Sequence, residues 1–576
     1  MKRFVLASLG LCLCMPACTR DGVDSERSDG DTGSTGGGDG SATGGGSTGG
    51  GVGTIDPRSA DFLRQVDVLF VIDNSGSMAD EQTALARSFQ SFIEVLEDPD
   101  VNADYRIAVT TTDNGHAACS VTTPEAGQLR AVSCRDRPDE FVWPAANPQV
   151  EAFDTACADL CPADLGTGLQ VEPTSTTNDP NEVRRPWIER SGGRLNLPDG
   201  VSATQAFQCF GPQGVDGCGF EAPLESMYKA LQRSSVMDDT AFDFFREQAT
   251  PVVVIVTDEA DCSANERWQS QVFSPALPVA DRIFWEDPDN AAPTSSICWN
   301  AGVRCQGGPG DYDGCGPIDL DVEGSEVDPP RAADDAVLRP VERYVERIRA
   351  LEEERRLFVD DFEVIVAVVG GVPVGYETGN VPLIYSSESD PAERRLWGNI
   401  AKGCVGMLGG EPQAAIPPVR LREFAESFHE GEGRNLYSIC QGDYGAALES
   451  VATTIRNRFS PACLDGCATD VDSDNPGLQV DCTIDVVNRD MEVVGELPPC
   501  IDQGEVPVGE EFCYLAIGMQ DGLTTVNGEA SDGLGFDGRC TERGSNLEFR
   551  LRKQPRADTS GLSFQASCAS AGECPG

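Results

Sequence analysis

Apolar positions along this chain repeat on two periods, and the changes from one to the other mark its elements. Val66-Asp67-Val68-Leu69-Phe70-Val71-Ile72 is a nearly unbroken β-branched run. Such a run predicts a strand covered on both faces, as in a parallel sheet. A polar loop, Asp73-Asn74-Ser75-Gly76-Ser77-Met78, follows directly, and then Leu85, Phe89, Phe92, Ile93 and Leu96 recur at helical spacing. The pattern is repeated downstream. Tyr105 to Thr110 reads as a strand, Leu224 to Leu231 as a helix, and Pro251 to Val256 as a second buried strand ending in Thr257-Asp258-Glu259-Ala260-Asp261. Val337, Leu338, Val341, Val345, Ile348 and Leu351 predict one face of a long helix. Phe362 to Val369 reads as a strand, and Leu436 to Ile439 leads into a helix over Ala446 to Phe459. Strands alternating with helices predict an α/β fold: a doubly wound, mostly parallel sheet spanning residues 60–460.

Two stretches interrupt this alternation. Residues 111–216 and 262–335 are too long for ordinary connections and are rich in Pro, Gly, Asp and Cys, so they read as insertions at the sheet's ligand-binding edge. From Pro461 the period shortens to two, in Thr483 to Val487, Phe512 to Ile517 and Leu547 to Leu551. Eight cysteines from Cys463 to Cys574 accompany these strands, and residues 461–576 therefore read as a small disulfide-rich β module.

The N-terminus reads as an address. Lys2 and Arg3 precede an apolar run from Phe4 to Met15, the length of a signal-peptide core and too short to span a bilayer. Met15-Pro16-Ala17-Cys18 resembles a bacterial lipobox, which implies cleavage before Cys18 and lipidation of its sulfur. Thr19 stands where an aspartate would resemble an inner-membrane retention signal, which favours an outer-membrane or surface position. Residues 19–59 are rich in Gly, Ser, Thr and Asp; this composition buries too little to order the chain, and it predicts a flexible tether roughly 35 Å in coil dimension. On this reading the lipid is the only membrane contact.

Composition narrows the partners. Among 576 residues, 95 Asp and Glu face 43 Lys and Arg, a formal charge of −52. That field repels phosphate backbones and anionic lipid, so nucleic acid is excluded as a partner class. Of 23 cysteines, Cys12, Cys14 and Cys18 belong to the leader, and the remaining 20 form an even set suited to disulfides in an oxidising compartment. Zinc ligation fits poorly, because only His116 and His429 are present and no paired CxxC frame occurs.

The candidate chemistry lies where the buried strands end. Asp73, Ser75 and Ser77 follow the first strand and Asp258 follows a later one, a placement that brings two carboxylates and two hydroxyls to one edge of the sheet. A hard divalent cation such as Mg²⁺, Ca²⁺ or Mn²⁺ takes oxygen ligands of this kind. A strand ending in Asp-x-Ser-x-Ser, a helix, and a later strand ending in Thr-Asp together resemble the von Willebrand factor type A (VWA) domain and its metal-ion-dependent adhesion site (MIDAS). Gly217-Cys218-Gly219-Phe220-Glu221, Thr257-Asp258-Glu259-Ala260-Asp261-Cys262 and Tyr437-Ser438-Ile439-Cys440 resemble, more narrowly, Cys-rich bacterial VWA lipoproteins. The resemblance implies one MIDAS ion held by Asp73, Ser75, Ser77 and Asp258, and binding of a protein or other macromolecule through that ion. This sequence departs from the pattern in the middle loop, where a threonine is usual and Glu221 or Cys218 falls instead. If Glu221 coordinates, its extra charge strengthens metal binding and weakens the attraction for a partner's carboxylate. The converging loops suggest a Cys218–Cys262 disulfide at the rim of the site, with Cys209–Cys218 as the local alternative.

Other polar features have plainer readings. Asp311-Tyr312-Asp313-Gly314 and Asp319-Leu320-Asp321 lack the third acid and terminal glutamate of an EF-hand and read as solvated loops. His116 and His429 read as loop residues. No nucleophile elbow, HExxH helix, phosphate-binding loop or dinucleotide fingerprint occurs in a fitting context, so the sequence predicts a binding protein rather than an enzyme.

Overall fold

The computed structural model describes residues 51–54 and 64–570, except 100, 144–148, 309, 357–361, 409, 429–433, 460, 461, 465, 473, 489–491, 503, 532, 555, 556 and 558–561. The leader, Cys18, most of the tether and His429 therefore lie outside the described residues. No described helix is long and apolar enough to cross a membrane.

A seven-stranded sheet forms the centre of the fold. Its strands are β1 (Gln65–Ile72), β2 (Asp104–Thr111), β3 (Ile188–Ser191), β4 (Arg194–Leu195), β5 (Thr250–Val256), β6 (Ile365–Gly370) and β7 (Leu436–Ser438), in the spatial order β7-β6-β5-β1-β2-β3-β4. The five strands from β7 to β2 run parallel, and β3 and β4 add an antiparallel edge. The apolar alternation explains the two covered faces. Val66, Val68, Phe70 and Ile72 enter one core with the buried side of α1 (Ala79–Leu96) and of α6 (Gly445–Arg458). Leu69 and Val71 enter the other, against α3 (Pro223–Ser234), α4 (Val341–Arg355) and α5 (Val419–Glu426). On the first face Phe89 stacks on Phe207 of α2 (Ala203–Phe210), their centroids 3.7 Å apart.

Three sequence expectations change. Helix α4 starts at Val341 instead of Val337: Pro340 disfavours helical backbone at the residue before it. Val337 and Leu338 instead join a separate core with Phe273, Phe284, Trp285 and Ile297. The 111–216 stretch is more than an insertion, because it supplies α2 and the edge strands β3 and β4. Those strands have only four and two residues, too few for a period to register. Finally, Gly51–Thr54, expected in the tether, pairs antiparallel with Leu562–Ser570.

The C-terminal segment forms two antiparallel sheets. One orders Gly51–Thr54, Leu562–Ser570, Cys482–Asn488 and Val493–Glu496; the other orders Ala462–Cys463, Leu547–Lys553, Phe512–Gln520, Leu523–Val526 and Glu529–Ala530. Ile484, Phe564 and Ala566 of the first meet Phe512, Leu547 and Phe549 of the second in one core. Disulfides Cys463–Cys540, Cys482–Cys568 and Cys500–Cys513 cross this module, and Cys467 is also disulfide-bonded. The module meets the end of the central sheet where β1 and β2 begin: Glu548 pairs with Arg64 at 3.4 Å, and Lys553 with Asp104 at 2.9 Å.

Candidate metal centre at the carboxyl edge of the sheet

Strands β1 and β5 are neighbours whose following connections leave toward opposite sides of the sheet, and their carboxyl ends border the crevice where such folds place ligands. Asp73 leaves β1 with its N–H donating to Val256 O at 3.0 Å, so the loop stays tied to β5. The Asp73 side chain is fully buried. Its Oδ1 accepts the Ser75 N–H at 2.8 Å, and its Oδ2 accepts the Thr257 hydroxyl at 2.5 Å. The Ser75 and Ser77 hydroxyl oxygens lie 3.2 Å apart, the first buried and the second open to solvent. Gln82 clamps the loop from below, donating to Asp73 O and to Gly214 O, each at 2.8 Å. Gly217 is required by proximity, since a Cβ there would strike the Asn74 carboxamide, and a Cβ on Gly76 would strike the Trp143 ring.

Glu221 and Asp258 both reach this centre. The Glu221 backbone joins two loops: Cys262 N–H donates to its carbonyl at 2.6 Å, and the next residue's N–H donates to Thr112 O at 3.1 Å. The Thr112 hydroxyl, one residue past β2 and outside the middle loop, donates to Glu221 Oε2 and holds the glutamate. Glu221 Oε1 and Asp258 Oδ1 are buried with no hydrogen-bond partner. A third carboxylate, Glu81 in the first turn of α1, is 2% exposed and has Oε2 in the same condition. Burial, followed by the charge of Asp258, raises Glu81 to about 9. Burial and then Asp73 raise Asp258 to about 7. Glu221 and Glu259 are held well above the carboxylate range, first by burial and then by Asp73 and Asp258 respectively.

A cluster of dry carboxylates with unfilled oxygens is costly unless a cation enters or protons bind. Among the described residues no group of three or more His, Cys, Asp and Glu forms a ready metal cage. The donors that meet here are mixed, two serine hydroxyls with carboxylates, which is an oxygen set for a hard cation. Sequence reasoning passed over Glu81, Glu259 and Thr112. For Glu81 a signal existed: the spacing that places Leu85 and Phe89 on the buried face of α1 places Glu81 there one turn earlier.

The rim disulfide differs from both expected pairings. Cys218 bonds to Cys119 and Cys262 to Cys298, while Cys209 bonds to Cys161. The Cys218 and Cys262 loops do converge, but each cysteine staples its loop outward, to residue 119 or 298 of the flanking long stretches. His116 is buried near this rim, stacked on Phe220 at 4.6 Å and edge-on to Phe273 at 4.4 Å. Burial lowers it to about 4, so it stays neutral.

No protein-family model and no curated protein matches the sequence. Solved structures that align with it include the pilus adhesin SpaC from Lactobacillus rhamnosus GG in its open conformation, at 10% identity and a TM-score of 0.27 over 89% of this chain and 44% of that one. The adhesive tip pilin GBS104 from Group B Streptococcus agalactiae aligns at 10% identity and a TM-score of 0.21, over 88% of this chain and 78% of that one. The pilus adhesin RrgA from Streptococcus pneumoniae aligns at 9% and 0.19, over 89% and 57%. The chain thus spans less than half the length of SpaC. Overlaps this slight establish no common fold.

Proposed function

We propose that this chain is an envelope-anchored binding protein of the VWA type, which takes up one divalent cation at Asp73, Ser75, Ser77, Glu221 and Asp258 and recognises a macromolecule there. The observation that carries this reading is the pair of unpartnered, buried carboxylate oxygens, Glu221 Oε1 and Asp258 Oδ1, beside the Asp73 loop. Burying such atoms without a partner costs several kcal/mol, which a bound cation would recover. The strand order agrees: apart from the two-residue β4, the sheet reads 3-2-1-4-5-6 with an antiparallel third strand. Mg²⁺ suits two neutral hydroxyls with retained waters; Mn²⁺ or Ca²⁺ would use the same oxygens. The ion would supply an electron-poor position for a partner's oxygen, and this chain's residues orient that position and keep it partly dry. The hydroxyls that touch carboxylates here are read as part of the oxygen donor set, and binding is the activity assigned.

Thermal unfolding tests the reading. With Mg²⁺ at 100 times its dissociation constant, linkage adds about 2.7 kcal/mol to wild type. The Asp73→Ala/Ser75→Ala variant should gain nothing. If chelator-stripped wild type is indifferent to Mg²⁺, Mn²⁺ and Ca²⁺ alike, the domain is a scaffold and metal-bridged recognition is abandoned.

A further inference from the structure

At the end of β1 remote from Asp73, positive charge gathers locally on this very acidic protein. A cleft of about 240 Å³ opens where the C-terminal module meets the starts of β1 and β2, lined in part by Arg64, Asn102, Asp104, Gly192, Arg552 and Lys553. Its one carboxylate is committed: Asp104 Oδ2 pairs with Lys553 at 2.9 Å, and Oδ1 accepts the Gly192 N–H at 2.9 Å. Arg64 reaches Glu548 at 3.4 Å, but Glu548 lies closer to Arg550, at 2.6 Å. Arg190, nearby, is directed to Asn102 Oδ1 and Ala103 O. Arg552 differs from these. Its hydrogen bonding among the described residues amounts to one long contact, Nη1 to Leu551 O at 3.5 Å, and no carboxylate pairs with it. Burial first, and then the charges of Arg550, Arg64 and Arg190, lower it to about 10.

A guanidinium in a cleft, with other cations around it and the one lining acid, Asp104, already paired with Lys553, is placed as an anion site would place it, because its planar donors match tetrahedral and carboxylate oxyanions. The alternative, a cation retained for stability, fails on balance: three guanidinium neighbours repel it, against the attraction of Asp104 alone, which Lys553 already holds. We propose that this cleft binds an oxoanion of the phosphate class, with Arg552 as the principal donor and Arg64 and Lys553 supplying surrounding charge. The cleft has room for the anion and its remaining waters. A free phosphate and a phospholipid headgroup share this chemistry.

The test uses the full chain and inorganic phosphate at constant ionic strength, with chloride as the balancing anion. The melting temperature of wild type should rise saturably with phosphate, and its ³¹P line should broaden. Arg552→Gln should lose both responses while melting no lower than wild type in chloride alone, since a repelled charge has been removed. Co-sedimentation with phosphatidylglycerol vesicles, lost in Arg552→Gln, would assign the anion to a headgroup; phosphate binding without it would assign a free ion. Absence of both phosphate responses in wild type overturns the proposal, as does an undiminished response in Arg552→Gln. The ³¹P measurement on wild type needs no variant to fold.

Discussion

At the scale of single residues, charge buried at the two ends of β1 is handled in opposite ways. At its start, Asp67 is fully buried and receives Arg246 through Nη2 at 2.6 Å, Nε at 2.9 Å and the backbone N–H at 2.6 Å. Removing one member of such a pair strands the other, so Asp67→Ala should cost about 3–5 kcal/mol in urea unfolding. At its end, Asp73, Glu81, Glu221, Asp258 and Glu259 are buried with no ion pair among the described residues, only the more distant charge of Lys402 acting on the last two, and each is raised. A carboxyl raised to about 7 or 9 keeps its proton in the folded chain at pH values where the unfolded chain has released it. The metal-free protein should therefore lose stability as pH rises from about 5 through 7 toward 9. Divalent cations require the ionised groups, so their stabilising effect should grow over the same window. Melting curves from pH 5.5 to 8.5, with chelator and with Mg²⁺, check both slopes; parallel flat lines would remove the carboxylate cluster from the argument for metal.

At the scale of elements, what was legible depended on length and period. The eight-residue β1 and the eighteen-residue α1 declared themselves because their apolar positions repeat often enough to exclude the other period. The hairpin Cys404–Leu408 with Glu411–Ala415 did not. Its apolar residues fall on both sides, Val405 and Met407 exposed while Cys404 and Leu408 are buried, so hydrophobicity does not alternate along it. The convergence of the strand-end residues Asp73, Ser75, Ser77 and Asp258 was legible, because a buried run fixes where the following residue emerges. Disulfide pairing was not legible, since cysteine sulfurs reach either way from a loop. Cys119–Cys218 closes a loop of 99 residues and Cys262–Cys298 one of 36, each holding a site loop against a flanking segment. Replacing Cys119 and Cys218 together by serine should lower stability by about 2–5 kcal/mol. It should also weaken Mg²⁺ binding in titration calorimetry, whereas loss of the remote Cys500–Cys513 should leave metal affinity unchanged.

At the scale of the molecule, the C-terminal module and the candidate site at Asp73 lie at opposite ends of β1. The module touches Arg64, one residue before the strand, and the site begins at Asp73, one residue after it. Gly51–Thr54 is a strand of that module, in register with Ser567 to Ser570 of the strand that Cys482–Cys568 fastens. A partner captured at Asp73 while the N-terminal segment is held elsewhere would put the chain under tension. The load would meet this four-rung ribbon before it met β1, seven of whose eight residues are paired on both sides. The ribbon should then act as a mechanical fuse: it peels first and frees residues 51–54, about 14 Å of extended chain. Pulling single molecules between residue 50 and the bound partner should show that early step, at low force, before any unfolding of the central sheet. A protein so built would yield length under a sudden tug and keep its grip.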